Sequence, residues 1–416
     1  MGLLARRSRV ASKSNLATTP QTSGYIGEFL TYVLAPLLPR LLKNKTRVIT
    51  NAGGLDPVGL KELIEKHLKK EGIHDVKVAA VWGDDLLSSK SEQFRNGAFR
   101  SFEPLNGAGT PESIFSEDDN LLSLNAYLGA EPIVQALKSG AQIVVTGRVV
   151  DSALVLAPLA YNFDWDLSPT SPNLNKIASA SLAGHIIECG AQCTGGNFTD
   201  WREGAFSAYG GWSNMGYPIV EFSADGTFVV TKPAKTGGVV STLSVAEQML
   251  YEVLDPANYL LPDVNLDLSR VTLTQVGVDR VRVIGAIGRP PTPWLKCTAI
   301  KQDGYRIEGA LIIPGFEARQ KARILGEALI QRANMILKGM KSPGITEYRI
   351  ETPGAEEMFG YLSLNLDLAH FRHFSRTKES REVILRIAAA HQDKRALDIL
   401  GMELAYVPAL LSSTEL

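Results

Sequence analysis

Thr46-Arg-Val-Ile-Thr-Asn51-Ala-Gly53-Gly54-Leu-Asp56-Pro57 decides the reading of this chain. Its β-branched start predicts a short buried strand. Gly53 and Gly54 supply a tight turn, Asp56 suits a helix N-cap, and Pro57 suits the first helical position. Over 57–70, Leu60, Leu63, Ile64 and Leu68 fall on one helical face. Val76-Lys-Val-Ala-Ala-Val-Trp82 is then a second strand, closing on Gly83-Asp84-Asp85. Strand, loop, helix and strand in this order make a βαβ unit, which implies a parallel sheet.

Upstream, Ile26, Phe29, Leu30, Val33, Leu34, Leu37 and Leu41 predict an amphipathic helix over 25–43, kinked by Pro36 and Pro39. Downstream the first pattern recurs. A helix over 131–137 precedes a strand over 141–146, a loop Gly147-Arg-Val-Val-Asp151, and helices over 152–160 and 177–188. The second half changes texture. Strands over 219–222 and 227–231 flank the turn Ala224-Asp-Gly226, and a helix covers 244–254. Strands are expected over 271–275, 281–287, 295–301 and 305–313, a long helix over 316–340, and strands near 346–351 and 361–367. A helix over 378–392 and a strand over 394–406 close the chain. The fold class expected is α/β, with a parallel sheet flanked by helices in the first half and a mixed α+β second half. Two domains are expected, 1–212 and 213–416, with the seam in the Gly/Ser/Trp-rich stretch 194–216.

The chain of 416 residues carries 43 Lys and Arg against 44 Asp and Glu, so it has no basic excess for a nucleic-acid backbone. No run of eighteen apolar residues predicts a membrane span. Three cysteines, Cys189, Cys193 and Cys297, are too few for a disulfide framework and fit a reducing compartment. The expected location is the cytoplasm. The acid-free segment before Glu28, with Arg6, Arg7, Arg9 and Lys13, reads either as a mitochondrial matrix presequence or as a solvated lead-in.

In open parallel sheets, ligands bind at loops leaving the carboxyl ends of strands. Three such loops are legible: Asn51 to Asp56, Gly83 to Asp85, and Gly147 to Asp151. The amides of Gly53 and Gly54, ahead of a helix, suit either an anion or a tight turn. Asp84 suits a general base or, with Asp85, a metal-dependent hydrolase; the plain alternative is a helix cap. Arg148 suits a substrate carboxylate or phosphate, and Asp151 a cap for the helix from Ser152 or an ion pair with Arg148. Glu188-Cys189-Gly-Ala-Gln192-Cys193-Thr194-Gly195-Gly196-Asn197-Phe-Thr199-Asp200 is the densest polar stretch. Its preferred reading is a substrate loop in which Gly195, Gly196, Asn197 and Asp200 bind, and Glu188 serves as acid or base. The Cys189–Cys193 spacing lacks the CxxC-type pairs or nearby His partners that zinc wants, and a nucleophilic thiol would need a base such as His185, four residues before Cys189 on the same helical face. Lys232 is either a surface lysine or, before Thr236-Gly-Gly238, an anion ligand. His370 and His373 read as packing or surface residues, and Trp82, Trp201, Trp212 and Trp294 as core. The glycine loops match neither the nicotinamide and flavin fingerprint nor a P-loop, so no cofactor is indicated and metal use is open.

Read together, Val48-Ile-Thr-Asn-Ala-Gly-Gly-Leu-Asp-Pro57, Gly83-Asp-Asp85, the segment Gly140 to Leu154, and the segment Gly184 to Trp201 resemble the acyclic terpene utilisation (AtuA-like) family. Tyr217-Pro-Ile-Val-Glu221, Thr231-Lys-Pro233 with Thr236-Gly-Gly238, and Ala246-Glu-Gln-Met-Leu-Tyr-Glu252 with Asp255-Pro256 match too. The resemblance runs to about residue 402. It implies a role in breaking down branched acyl-CoA compounds, through lyase-type cleavage of a hydroxy-glutaryl-CoA-like thioester. Asp84 or Glu188 would then be acid or base, Arg148 and Lys232 would hold anionic groups, and the glycine loops would cradle the substrate. The chain departs from the family's usual opening strand and Ser-Gly-Phe-type loop, and it ends before a small ferredoxin-like domain that many members carry. The alternative reading is therefore a non-catalytic or partner-dependent subunit, pairing with a second copy or with a small ferredoxin-like chain.

Overall fold

The computed structural model describes residues 24–89, 102, 121–354 and 381–411. The presequence reading, the 361–367 strand, His370 and His373 lie outside them.

A π-helical turn at Phe29–Leu34 runs into α1 (Ala35–Lys43), and Pro36 falls in the first turn of α1, where its missing N–H costs nothing. Then come β1 (Val48–Thr50), α2 (Pro57–Lys70), β2 (Val78–Val81), α3 (Leu86–Ser89), β3 (Leu121–Ala126), α4 (Glu131–Lys138), β4 (Ile143–Thr146), α5 (Ala153–Phe163) and α6 (Leu174–Ile187). The parallel sheet has the order β1-β4-β2, with β4 in the middle. All four β4 residues are buried. Ile143 and Val145 join the core made with Leu34, Leu60 and Ile64 of the first helices, while Val144 joins the core made with Ile133, Leu156 and Ile177. Alternation of side chains along a strand thus covers both faces of the sheet.

The chain continues through α7 (Trp201–Ala205), β5 (Ile219–Phe222), β6 (Phe228–Thr231), α8 (Thr242–Leu250), β7 (Tyr259–Leu260), β8 (Asn265–Asp267), β9 (Thr272–Gly277), β10 (Arg280–Ile284), β11 (Ile287–Arg289) and β12 (Cys297–Lys301). An antiparallel sheet β5-β6-β10-β9, a sheet β11-β8-β7 and the pair β12-β3 result. One core takes in Val81, Leu182, Phe228, Val245, Leu266 and Val283. Residues 213–301 therefore share their interior with the first half, and the chain divides instead between Lys301 and Gln302. The expected boundary at 212 falls inside the first unit. Helix α6 explains this: ten of its residues are buried, and it packs against both β5 and β11, so no exposed linker separates them.

The second unit holds β13 (Tyr305–Pro314), α9 (Ala318–Gly339), β14 (Glu347–Glu351), β15 (Glu382–His391) and α10 (Lys394–Leu411), with sheet order β13-β15-β14, all antiparallel. Two expectations fail here. The helix expected over 378–392 is strand β15, whose Val383, Leu385, Ile387 and Ala389 alternate inward. The strand expected over 394–406 is helix α10, whose Ala396, Leu397, Leu400 and Leu404 recur at helical spacing. Good helix formers in the first segment outweighed its period of two.

Candidate functional site

Register sets the site. Thr50 pairs with Val145 and Val81 with Thr146, so β1, β4 and β2 end level and the loops after them leave from one edge. Bonds then tie these loops together. The Asn51 side-chain amide donates to the Asp151 carboxylate (2.9 Å), and the Gly147 N–H donates to the Val81 carbonyl (2.9 Å). The Arg148 N–H donates to Asp84 Oδ2 (3.0 Å).

The individual residues fall into two groups. The first is spent on architecture. Asp84 is 3% exposed and also accepts from the Asn125 side chain of β3 (2.9 Å). Burial raises its carboxyl above the ordinary range against these two bonds. It ties its own loop to β3 and to the loop after β4, a structural use that the sequence reading as a general base did not include. Asp85 accepts from the Leu87 N–H (3.0 Å) at the start of α3, the capping alternative. Gly53 is buried; a Cβ there would stand 2.5 Å from the Thr146 carbonyl and 2.7 Å from Pro57. Gly54 takes φ +56°, and its N–H donates to the Asn51 carbonyl. The Asp56 carboxylate accepts from the Gly59 N–H (2.9 Å), so the start of α2 is capped by its own carboxylate. Lys232, its side chain 6% exposed, pairs with Asp279 (3.0 Å) and donates to the Thr236 carbonyl (2.8 Å), so the charge read as an anion ligand has a carboxylate of the protein as its partner. The Gly195 and Gly196 amides donate to the Gln192 and Ala191 carbonyls, while Asn197 and Asp200 stand exposed.

The second group gathers at the rim. Asp151 lies beside Asn51 and within the field of Arg148. It does not cap α5 by its side chain; Leu154 donates to its main-chain carbonyl instead. Arg148 donates to the Tyr127 hydroxyl (2.6 Å) and stacks on that ring (4.9 Å). Glu188, at the end of α6, has a side chain 16% exposed, with its carboxylate 3.1 Å from Nδ1 of the buried His185. Asp151 and Glu188 both expose part of themselves to solvent, yet the protein packed around their carboxyls raises both above the ordinary range, opposed at Asp151 by Arg148 and at Glu188 by His185. Each also feels the negative charge of Glu252, and Glu188 that of Asp151. Glu252 follows α8 at φ +61°, a left-handed position that glycine usually takes at a helix end. It carried no assigned role in the sequence, although the motif ending in Glu252 was legible; Tyr127 and Asn125 gave no signal at all. Burial raises the Cys189 thiol and pushes the Cys193 thiol up to about 12, so neither has thiolate character. Among the described residues no three His, Cys, Asp or Glu side chains stand close enough to hold a metal ion.

The tryptophans expected in the core are at the surface: Trp82, Trp201, Trp212 and Trp294 are all exposed. Trp201 packs its ring against Phe206 and Trp212, and the Trp212 Nε1–H donates to the Gly195 carbonyl (3.3 Å).

With this geometry in place, the comparison with known families is decisive: the profile described as acyclic terpene utilisation family protein AtuA matches residues 3–413. The chain belongs to the AtuA family. Searches of curated proteins and of solved structures return no match. AtuA membership ties the chain to acyclic terpene utilisation and spans both structural units. Among the described residues, no helix is long and apolar enough to cross a membrane.

Proposed function

We propose that the rim formed by Asp151, Glu188 and Arg148 is an acid–base site that cleaves a branched hydroxy-glutaryl-CoA-like thioester during acyclic terpene breakdown. What supports this is two carboxyls raised above the ordinary range, Glu188 feeling the charge of Asp151 and Asp151 that of the Arg148 guanidinium, with Asp151 and Arg148 in a loop at the carboxyl edge of a parallel sheet. Two interacting carboxyls with separate supports share protons unequally, which suits one as acid and the other as base. A 3-hydroxyacyl compound cleaves when a base takes the hydroxyl proton. The bond to the neighbouring α-carbon breaks, a carbonyl forms at the carbinol carbon, and the electron pair left on the α-carbon takes up a proton from the acid. Arg148, steadied on Tyr127, would hold the substrate's free carboxylate. His185 orients Glu188 from its buried side.

The test is turnover of a branched 3-hydroxyglutaryl-type CoA thioester, followed by release of the cleaved acid. Glu188→Gln and Asp151→Asn should each lower kcat/KM by about a hundredfold or more, and Arg148→Gln should mainly raise KM. Absence of turnover, or Gln and Asn variants that match the parent, removes the reading.

A second reading has one observation in its favour. Trp201, Phe206, Tyr209, Trp212 and Tyr217 are all exposed within seventeen residues, and exposed aromatics in a group mark contact surfaces. It is a partner-dependent subunit, contacting a second copy or a small ferredoxin-like chain. Light scattering of the purified chain, alone and with such a partner, decides it; a monomer that turns over substrate unaided rejects it.

A further inference from the structure

At the amino edge of the parallel sheet, opposite the rim, lies a recess of about 340 Å³, within the size range of small-molecule pockets. Lys45 and Arg47 reach it from the turn before β1, Tyr161 and Phe163 from the last turn of α5, and Val220 and Phe222 from β5. We propose that this recess is a second binding site, separate from the rim, for a small anion carried on an apolar body.

Charge makes the first part of the case. The lining holds two cations and no carboxylate. Among the described residues neither Lys45 nor Arg47 makes an ion pair, whereas many of the other surface arginines do. Arg47 is also held in place. Its guanidinium lies over the Tyr161 ring (4.8 Å) and donates one N–H to the Tyr161 hydroxyl (3.3 Å). That is its only side-chain bond among the described residues, so its other donors are oriented and uncommitted. An anion arriving there meets a pre-set fork, which lowers the ordering cost of binding.

The walls make the second part. Leu159, Phe163, Val220 and Phe222 are all partly buried and border the recess. They pack from behind on Trp165 and Phe228, with Phe163 stacked on Trp165 at 5.3 Å and Phe222 on Phe228 at 5.8 Å. Bare phosphate would satisfy the cations and leave this apolar surface wet. A neutral hydrocarbon would cover the walls and leave the cations without a counter-charge. Only a molecule with both parts meets both demands. Helix α5 separates the two sites: its eleven residues span roughly 16 Å, from the start next to Asp151 to its end at Phe163. The inference does not rest on the chemistry assigned to the rim.

Octanoate serves as probe, with octanamide and inorganic phosphate as controls, titrated calorimetrically into the full chain. Saturable one-site binding of octanoate is expected, with octanamide at least tenfold weaker and phosphate silent. Arg47→Gln should weaken octanoate at least tenfold, and Lys45→Gln several-fold, with Tm unchanged because both side chains are exposed. Arg148→Gln should leave octanoate binding intact, which separates this site from the rim. Equal binding of octanoate and octanamide, non-saturating binding, no binding, or a loss on Arg148→Gln without one on Arg47→Gln would each overturn the proposal.

Discussion

Asp263 shows most directly how a single group can work against its surroundings. It is 8% exposed and accepts from the Ala130 N–H (2.9 and 3.1 Å) at the start of α4, yet burial outweighs that bond and pushes its carboxyl up to about 6. A carboxyl that holds its proton more tightly folded than unfolded gives full stability below about pH 4, and loses it as the pH rises through about 6. A shift of roughly two units corresponds to about 3 kcal/mol at most. Asp263→Asn keeps an acceptor for Ala130 without the charge. The variant should match the parent at pH 4 and exceed its stability by about 1–3 kcal/mol at pH 8, measured by urea unfolding at both pH values. An equal gain at both would show that charge is not the cause. Such a residue was invisible in the sequence because its partner lies 133 positions away. By contrast, Asn51, Asp84 and Arg148 were placed correctly, since each simply follows a strand. What stayed hidden was the use of Asp84, whose partner Asn125 sits on β3, a strand whose buried run carries Ser123 and Asn125 and resembles no strand pattern.

Among the elements, the loop after β1 needs its glycines for packing. Gly53→Ala would drive a methyl group into the Thr146 carbonyl and Pro57, at the end of the central strand. Destabilisation on the order of 2 kcal/mol is expected, together with loss of activity, as β1 and β4 would have to separate. Lys232 gives the complementary prediction. Lys232→Met strands Asp279, which also holds the Val240 N–H (2.9 Å), so stability should fall by about 1–3 kcal/mol while KM stays the same. A raised KM at unchanged stability would favour the anion-ligand reading. The elements best read in advance were α2 and α9, long segments with clear periodicity and a cap or a glycine turn at the start. The worst were β15 and α10. Ala388, Ala389 and Ala390 favour a helix locally, but the strand is set by its pairing with β13 on one side and β14 on the other, a long-range contact that no local pattern announces.

For the molecule as a whole, the division after Lys301 replaces the expected one near 212. The second unit owns a core of Ile313, Leu329, Leu385, Ile387 and Leu400, drawn from its own sheet and helices. Scanning calorimetry should therefore resolve two unfolding transitions, and Leu385→Ala, which empties the centre of that core, should lower one of them and leave the other in place. A single transition that shifts as a block would show one cooperative body. The seam was misplaced because the Gly- and Trp-rich stretch looks like a linker, while in three dimensions Gly195 and Gly211 are close-packed inside the first unit.

The distribution of the five tryptophans has an optical consequence. Four face water and emit at the red end, and Trp165, buried on the Phe163 ring, emits at the blue end. A molecule settling beside Phe163 would disturb only the blue component, and one settling near Gly195 and Trp212 only the red. The protein carries its own two-colour indicator of which surface is occupied.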